Sequence, residues 1–200
     1  PNEGRFGGAV AVEEGTTNYC TGWANGSFED GIEGAAFQGY GVGYSPNAQS
    51  VSVTYGKGYR GLGVDVTLTT KATAQTADGQ AYVEFGVVAP TSAGVTWTFQ
   101  FKYKILSGAD KLYNETCLQC YDANGAYLDD IGGVGNRYDL PDGWKLWIIT
   151  GTTLANTATV RGQVRLGCVV NSTIRYLVDE IQLEQKPFAT SFVDGARAAG

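Results

Sequence analysis

Apolar residues recur at every second position through much of this chain. In Val95-Thr-Trp-Thr-Phe-Gln-Phe-Lys-Tyr-Lys-Ile105, one face carries Val95, Trp97, Phe99, Phe101, Tyr103 and Ile105. The other carries Thr96, Thr98, Gln100, Lys102 and Lys104. A sustained period of two predicts a strand with one face on a core and the other in solvent. The same phase puts Val160, Val164, Leu166 and Cys168 inward in 158–169, with Arg161, Gln163 and Arg165 outward. In 81–88 it sets Val83, Phe85 and Val87 against Tyr82 and Glu84. Similar short runs predict strands near 17–20, 35–42, 49–55, 60–69, 81–89, 94–106, 114–121, 144–151, 158–169 and 173–184. No window of useful length has a helical period. Residues 122–143, dense in Asp, Asn and Gly, read as the longest irregular connection, and long loops in compact domains often carry function. Short antiparallel strands with turn-rich connections predict an all-β fold, a jelly-roll β-sandwich of two antiparallel sheets.

Composition agrees and removes several function classes. With 29 Gly and 12 Tyr among 200 residues and 43% hydrophobic residues, the chain has strand-and-turn usage and enough apolar side chains for one core. A net charge of −6 with scattered Lys and Arg excludes a basic stripe for nucleic acid. There is no His, which removes the usual general base, the Ser-His and Cys-His nucleophile pairs and the commonest transition-metal ligand. A glycosidase built on two carboxylates survives that test, with Glu84, Glu115, Asp129 and Asp130 available, but nothing lifts these above solvated acids. No stretch approaches the ~20 apolar residues of a membrane span. The chain starts at Pro1 without an initiator Met, which reads as a segment processed or excised from something longer.

The tail is the most informative stretch: Tyr176-Leu-Val-Asp-Glu-Ile-Gln-Leu-Glu184 reads as a last core strand bearing carboxylates, with Phe188-Ala-Thr-Ser-Phe-Val-Asp-Gly195 as an extended exit. Far upstream stands Thr16-Thr-Asn-Tyr-Cys-Thr-Gly-Trp-Ala-Asn-Gly-Ser-Phe-Glu-Asp-Gly31, and between them Gly143-Trp-Lys-Leu-Trp147. In this order the motifs resemble carbohydrate-binding-module-like jelly rolls, a class similar to the galactose-binding-like sandwiches. They also look like modules of bacteriophage tail and other virion surface proteins. One departure is Ala35-Ala-Phe37, where the family usually has a Trp after its Phe-Glu segment. The resemblance covers residues 16–195. It leaves 1–15 as a linker or edge strand from a preceding module and 196–200 as an exit linker.

The resemblance implies a structural Ca²⁺ held where the Phe-Glu segment and the last strand converge, here Glu29 and Asp179 with help from Ser27. A hard cation takes six to eight oxygens, and carboxylates from both ends of the chain would pin the sandwich shut. It also implies a sugar-binding face. Tyr82, Glu84, Gln119, Tyr121, Gln163 and Arg165 point outward and offer the planes, carboxylates, amides and guanidinium groups that sugars use, provided their strands share a sheet. Tyr40, Tyr44, Trp144 and Trp147 are candidates for the rim. Of the four cysteines, Cys117 and Cys120 sit ~10 Å apart if extended, beyond the ~7 Å reach of a disulfide, so they should not pair with each other. A Cys₄ zinc site with Cys20 and Cys168 has the spacing of a knuckle but strand-like flanks. Cys120 and Cys168 read as buried thiols or a cross-strand pair.

These readings converge on a noncatalytic module of a larger extracellular or virion-surface protein. Its expected partner is a glycan or cell-surface polysaccharide, with no nucleic acid and no membrane insertion. The competing expectation is a structural virion module of a tail, fibre or capsid that contacts copies of itself or neighbouring subunits.

Overall fold

The computed structural model describes residues 16–20, 27–108, 113–114, 117–192 and 196–197. Fourteen strands follow in chain order. They are β1 (Thr16–Thr17), β2 (Gly41–Gly43), β3 (Ala48–Lys57), β4 (Leu62–Thr70), β5 (Gln80–Pro90), β6 (Thr96–Ser107) and β7 (Tyr113–Asn114). Then come β8 (Cys117–Tyr121), β9 (Tyr127–Ile131), β10 (Asn136–Asp139), β11 (Lys145–Thr152), β12 (Thr159–Val169), β13 (Thr173–Glu184) and β14 (Ala196–Arg197). The described residues contain no α-helix, only short 3-10 turns at Ser45–Asn47 and Pro141–Gly143. One sheet has the order β10-β11-β6-β13-β4-β3, and a second runs β2-β5-β12-β8-β9 with β7 also on β12. All pairings are antiparallel, and the two sheets form the expected jelly-roll sandwich.

The core follows from the alternation. Trp97, Phe99, Phe101 and Tyr103 of β6 face Val83 and Phe85 of β5 and Val160, Val164 and Leu166 of β12, all buried in one cluster. Phe99 fills the space above Gly162, where an added Cβ would come within 2.5 Å of its ring. Trp147 stacks on Phe101 with centroids 5.8 Å apart, so it is core and not cleft rim, a correction to the sequence reading. All four cysteines are buried as thiols outside any disulfide, and Cys117 and Cys120 are not bonded to each other, as their spacing required.

The polar face of β6 departs from expectation. Thr98 and Gln100 are buried rather than solvated, because the exit segment crosses them. Thr98 Oγ1 donates to the Lys186 carbonyl at 2.8 Å and Gln100 Nε2 to the Thr190 carbonyl at 2.7 Å. The 35–42 run is not one strand either. Ala36 bridges to Thr54 at the edge of the first sheet, and the chain then crosses to pair β2 with β5 at the edge of the second. The 122–143 connection contains β9 and β10, edge strands of opposite sheets, with a crossing between them at Gly132, Gly133 and Gly135. Those three residues have φ of 86°, 64° and 67°, which glycine reaches without steric cost. At the termini β1 pairs with β14, so the ordered span reaches past residue 195, while 1–15 and 198–200 lie outside the described residues.

Phe99→Ala should lower the unfolding free energy by about 3–5 kcal/mol, as for other fully buried aromatics. A near-neutral result in a urea melt would mean that the face assignment of β6 is wrong.

Candidate functional site

The outward face of the second sheet gathers the six residues expected to face a sugar, Tyr82, Glu84, Gln119, Tyr121, Gln163 and Arg165. Register sets Glu84 opposite Arg165, and Arg161 opposite Gln119, which in turn faces Asp130. Glu84 is the hub. Its Oε1 accepts from Arg161 Nη2 at 2.6 Å and Gln163 Nε2 at 2.9 Å, and its Oε2 accepts from Arg165 Nε at 2.9 Å. Arg161 reaches across β5 because position 86 is glycine, where a Cβ would stand 2.7 Å from the guanidinium. At the next step Tyr121 Oη donates to Gln119 Oε1 at 2.8 Å and Gln119 Nε2 donates to Asp130 Oδ1 at 3.0 Å. Partial desolvation of its hydroxyl, then a hydrogen bond to Asp130, pushes the Tyr127 phenol up to about 12.

Aromatic pairs flank this strip on both sides. Tyr82 meets Tyr44 edge-on at 5.1 Å, and Tyr121 meets Tyr127 at 5.9 Å. The two sides differ in access. Tyr82 is 8% exposed, with the Arg165 guanidinium 5.3 Å from its ring centre, so it supports the floor more than it offers a free plane. Tyr127 is 52% exposed and gives that edge its open aromatic surface. The sequence reading passed over Tyr127 and Asp130 as members of this face, since it placed them in a loop.

Trp144 lies elsewhere. It packs edge-on against Tyr59 at 5.7 Å, beside the outer face of the first sheet, and does not join those six. The described carboxylates considered for hydrolysis are each engaged by neighbours. Glu84 is held by two guanidinium groups, Asp129 Oδ1 accepts the Asp130 amide at 2.8 Å, and Glu115 lies outside the described residues.

Two of the three expected calcium ligands, Asp179 and Glu29, hold the β3–β4 turn at 58–62. Asp179 Oδ2 accepts the amides of Tyr59 at 2.7 Å and Arg60 at 3.1 Å, and its Oδ1 accepts that of Glu180 at 2.7 Å. Glu29 Oε1 accepts the Leu62 amide at 3.0 Å. Glycines line the approach: a Cβ at Gly58 would meet Asp179 Oδ2 at 2.5 Å, and one at Gly61 would meet Glu29 Oε1 at 2.2 Å. Ser27 is buried. Burial pushes the Asp179 carboxyl up to about 7, against the pull of its amide donors. Two carboxylates on a glycine-lined turn suit a hard cation in donor type, although their recorded partners are amide protons. Among the described residues no three His, Cys, Asp or Glu side chains group to hold a metal, which includes the four cysteines considered for zinc.

No family model matches the chain, and no curated protein does. Solved structures show a distant likeness. One is the enzymatically active domain of bacteriophage CBA120 tailspike protein 4, at 12% identity and TM-score 0.49, over 84% of this chain and 21% of that one. A second is the CBM22-1 xylan-binding domain of Paenibacillus barcinonensis Xyn10C, at 14% identity and TM-score 0.46, over 80% of this chain and 93% of that one. A third is a carbohydrate-binding module of family CBM28 specific for non-crystalline cellulose, at 13% identity and TM-score 0.48, over 80% and 94%. These are the classes that the chain's motifs resemble. With identities and scores this low, none of them assigns a ligand or a residue role to this chain.

Glu84→Ala leaves Arg161 and Arg165 facing each other without their shared acceptor. It should cost about 1.5–3 kcal/mol, the range for hydrogen bonds to charged groups. A denaturant melt within about 0.5 kcal/mol of the parent would show that the strip is held by something else.

Proposed function

We propose that this chain is a noncatalytic carbohydrate-binding module of a larger extracellular or virion-surface protein, and that the outward face of the second sheet is its binding surface. The observation that carries this reading is the strip Glu84–Arg161–Gln163–Arg165, continued through Gln119 and Asp130 and flanked by Tyr82 with Tyr44 and by Tyr121 with Tyr127. Sugars are recognised by aromatic planes set beside fixed donors and acceptors, and a strip whose side chains already hold one another loses little entropy on binding. Glu84, committed to two guanidinium groups, supports a binding role over a catalytic one. Among the described residues no helix is long and apolar enough to cross a membrane.

A glycan array should show binding by the intact domain, and Arg161→Ala or Tyr121→Ala should each weaken it roughly tenfold without a matching fall in melting temperature. No binding to any printed glycan, or binding indifferent to both changes, would overturn the reading.

A second reading, a structural virion module, is favoured by one feature. The edge strand β10 is exposed at all four residues, with Tyr138 at 52%, and Val134 before it is 87% exposed. An unpaired edge of this kind is a template for another chain.

The proposal includes a structural calcium ion at Glu29 and Asp179 with Ser27 near by. Added calcium should raise the melting temperature, by mass action about 2.7 kcal/mol at a hundredfold excess over the dissociation constant. Asp179→Asn should remove the effect. A melt indifferent to both calcium and chelator would leave the backbone amides as the tie on their own.

A further inference from the structure

The opposite side of the sandwich carries an open groove of about 880 Å³ on the outer face of the first sheet. Four adjacent strands supply its floor: Thr54 of β3, Asp65 of β4, Leu177 of β13 and Lys104 of β6. Tyr59 adds aromatic surface, backed edge-on by the buried Trp144, and Leu106 is exposed at its end of β6. None of these residues belongs to the strip on the second sheet.

We propose that this groove is a second saccharide site, selective for neutral, polyhydroxylated chains. The charge of the lining carries the selectivity. Glu33, Asp65 and Asp142 are matched by Lys57, Lys104 and Arg175, three carboxylates against three cations. A phosphate or sulfate ligand calls for a basic excess, and a cation calls for converging carboxylates. A balanced lining of donors and acceptors with small apolar patches between them suits hydroxyl groups and the C–H faces of a sugar ring.

The groove is also preorganised, which is what weak individual contacts require. Asp65 is clamped by Arg175, with Nε to Oδ1 at 3.0 Å and Nη2 to Oδ2 at 2.6 Å. Tyr59 is fixed from three directions: its amide on Asp179, the Lys102 ammonium 3.7 Å from its ring centre, and the Trp144 edge. A groove within the ~300–1,000 Å³ range typical of ligand sites, and built from strands and a pinned turn, needs no rearrangement to accept a chain.

The ligand class rests on the function proposed above, whereas the location stands on this face alone. Sites on opposite sheets would let one domain bridge two polysaccharide strands, which multiplies avidity on a glycan-coated surface.

The test is an array printed with neutral, sialylated and sulfated oligosaccharides and read with four proteins: the parent, Tyr59→Ala/Arg175→Ala, Tyr121→Ala/Arg161→Ala, and the combination. The groove pair should lower binding to neutral spots roughly tenfold, and only the combination should abolish it. Arg175→Ala on its own should show part of the loss; Arg175 is largely exposed, so this change leaves the core untouched. A groove pair that binds like the parent overturns the second site while leaving the second-sheet strip in place. Loss confined to the groove pair overturns the strip and keeps the groove. Binding to sialylated or sulfated spots alone, or no binding by the parent, overturns the neutral-saccharide assignment.

Discussion

A carboxylate with no solvent exposure must find protons in the protein, and Asp179 finds three of them in the backbone. The last core strand, β13, therefore does more than pair between β4 and β6. At its bulge between Asp179 and Gln182, where Glu180 takes φ 48°, it turns a carboxylate onto the β3–β4 turn. Glu29 holds the same turn from the N-terminal side. The turn in turn sets Tyr59, which orders Lys102 and Trp144 around it. Leaving a buried donor unsatisfied costs about 1–3 kcal/mol, so three amides on one carboxylate make this a concentrated polar constraint in the first sheet. Its neighbour Glu180 binds Lys102, so the bulge places two acids against the same turn.

The two sheets solve the problem of a polar outer surface differently. On the first, the exit segment lies across Thr98 and Gln100 and is itself held where Thr190 donates to Glu184 from its amide at 2.9 Å and its hydroxyl at 2.7 Å. Covered by chain in one half, that face is left open as a groove in the other. On the second sheet no described segment plays that part for the central strip; the side chains satisfy one another, with Glu84 between two arginines. Gln119 and Gln163 within it are buried, and this mutual bonding keeps the flanking aromatics in fixed places.

The phase of single strands was legible in the sequence because alternation is local. Glu84, Gln119, Tyr121 and Arg165 all emerged on one face, since β5, β12 and β8 proved to be neighbours. Asp179 and Glu29 were linked by the motifs at both ends of the chain, and the structure brings both to the 58–62 turn. What the sequence concealed was non-local. Residues 35–42 read as one strand and 122–143 as loop, yet the stretches around Gly39 to Gly43 and around Gly132 and Gly133 carry the chain from one sheet to the other. Tyr127 and Asp130 were missed for that reason, because β9 has little alternation of its own. Trp144 and Trp147 look equivalent in sequence. Only the packing separates Trp147, stacked on Phe101, from Trp144, outside the core beside Tyr59. The burial of Thr98 and Gln100 depends on a segment nearly ninety residues away, beyond the reach of any periodicity.

A crystal structure of the domain with its strongest-binding oligosaccharide tests most directly the proposal that sugars bind the sandwich faces. The account predicts a sugar ring against the Tyr121–Tyr127 edge, with hydroxyls in hydrogen-bond range of Arg161 and Arg165. A complex of measurable affinity in which the sugar touches neither the strip around Glu84 nor that edge would contradict it.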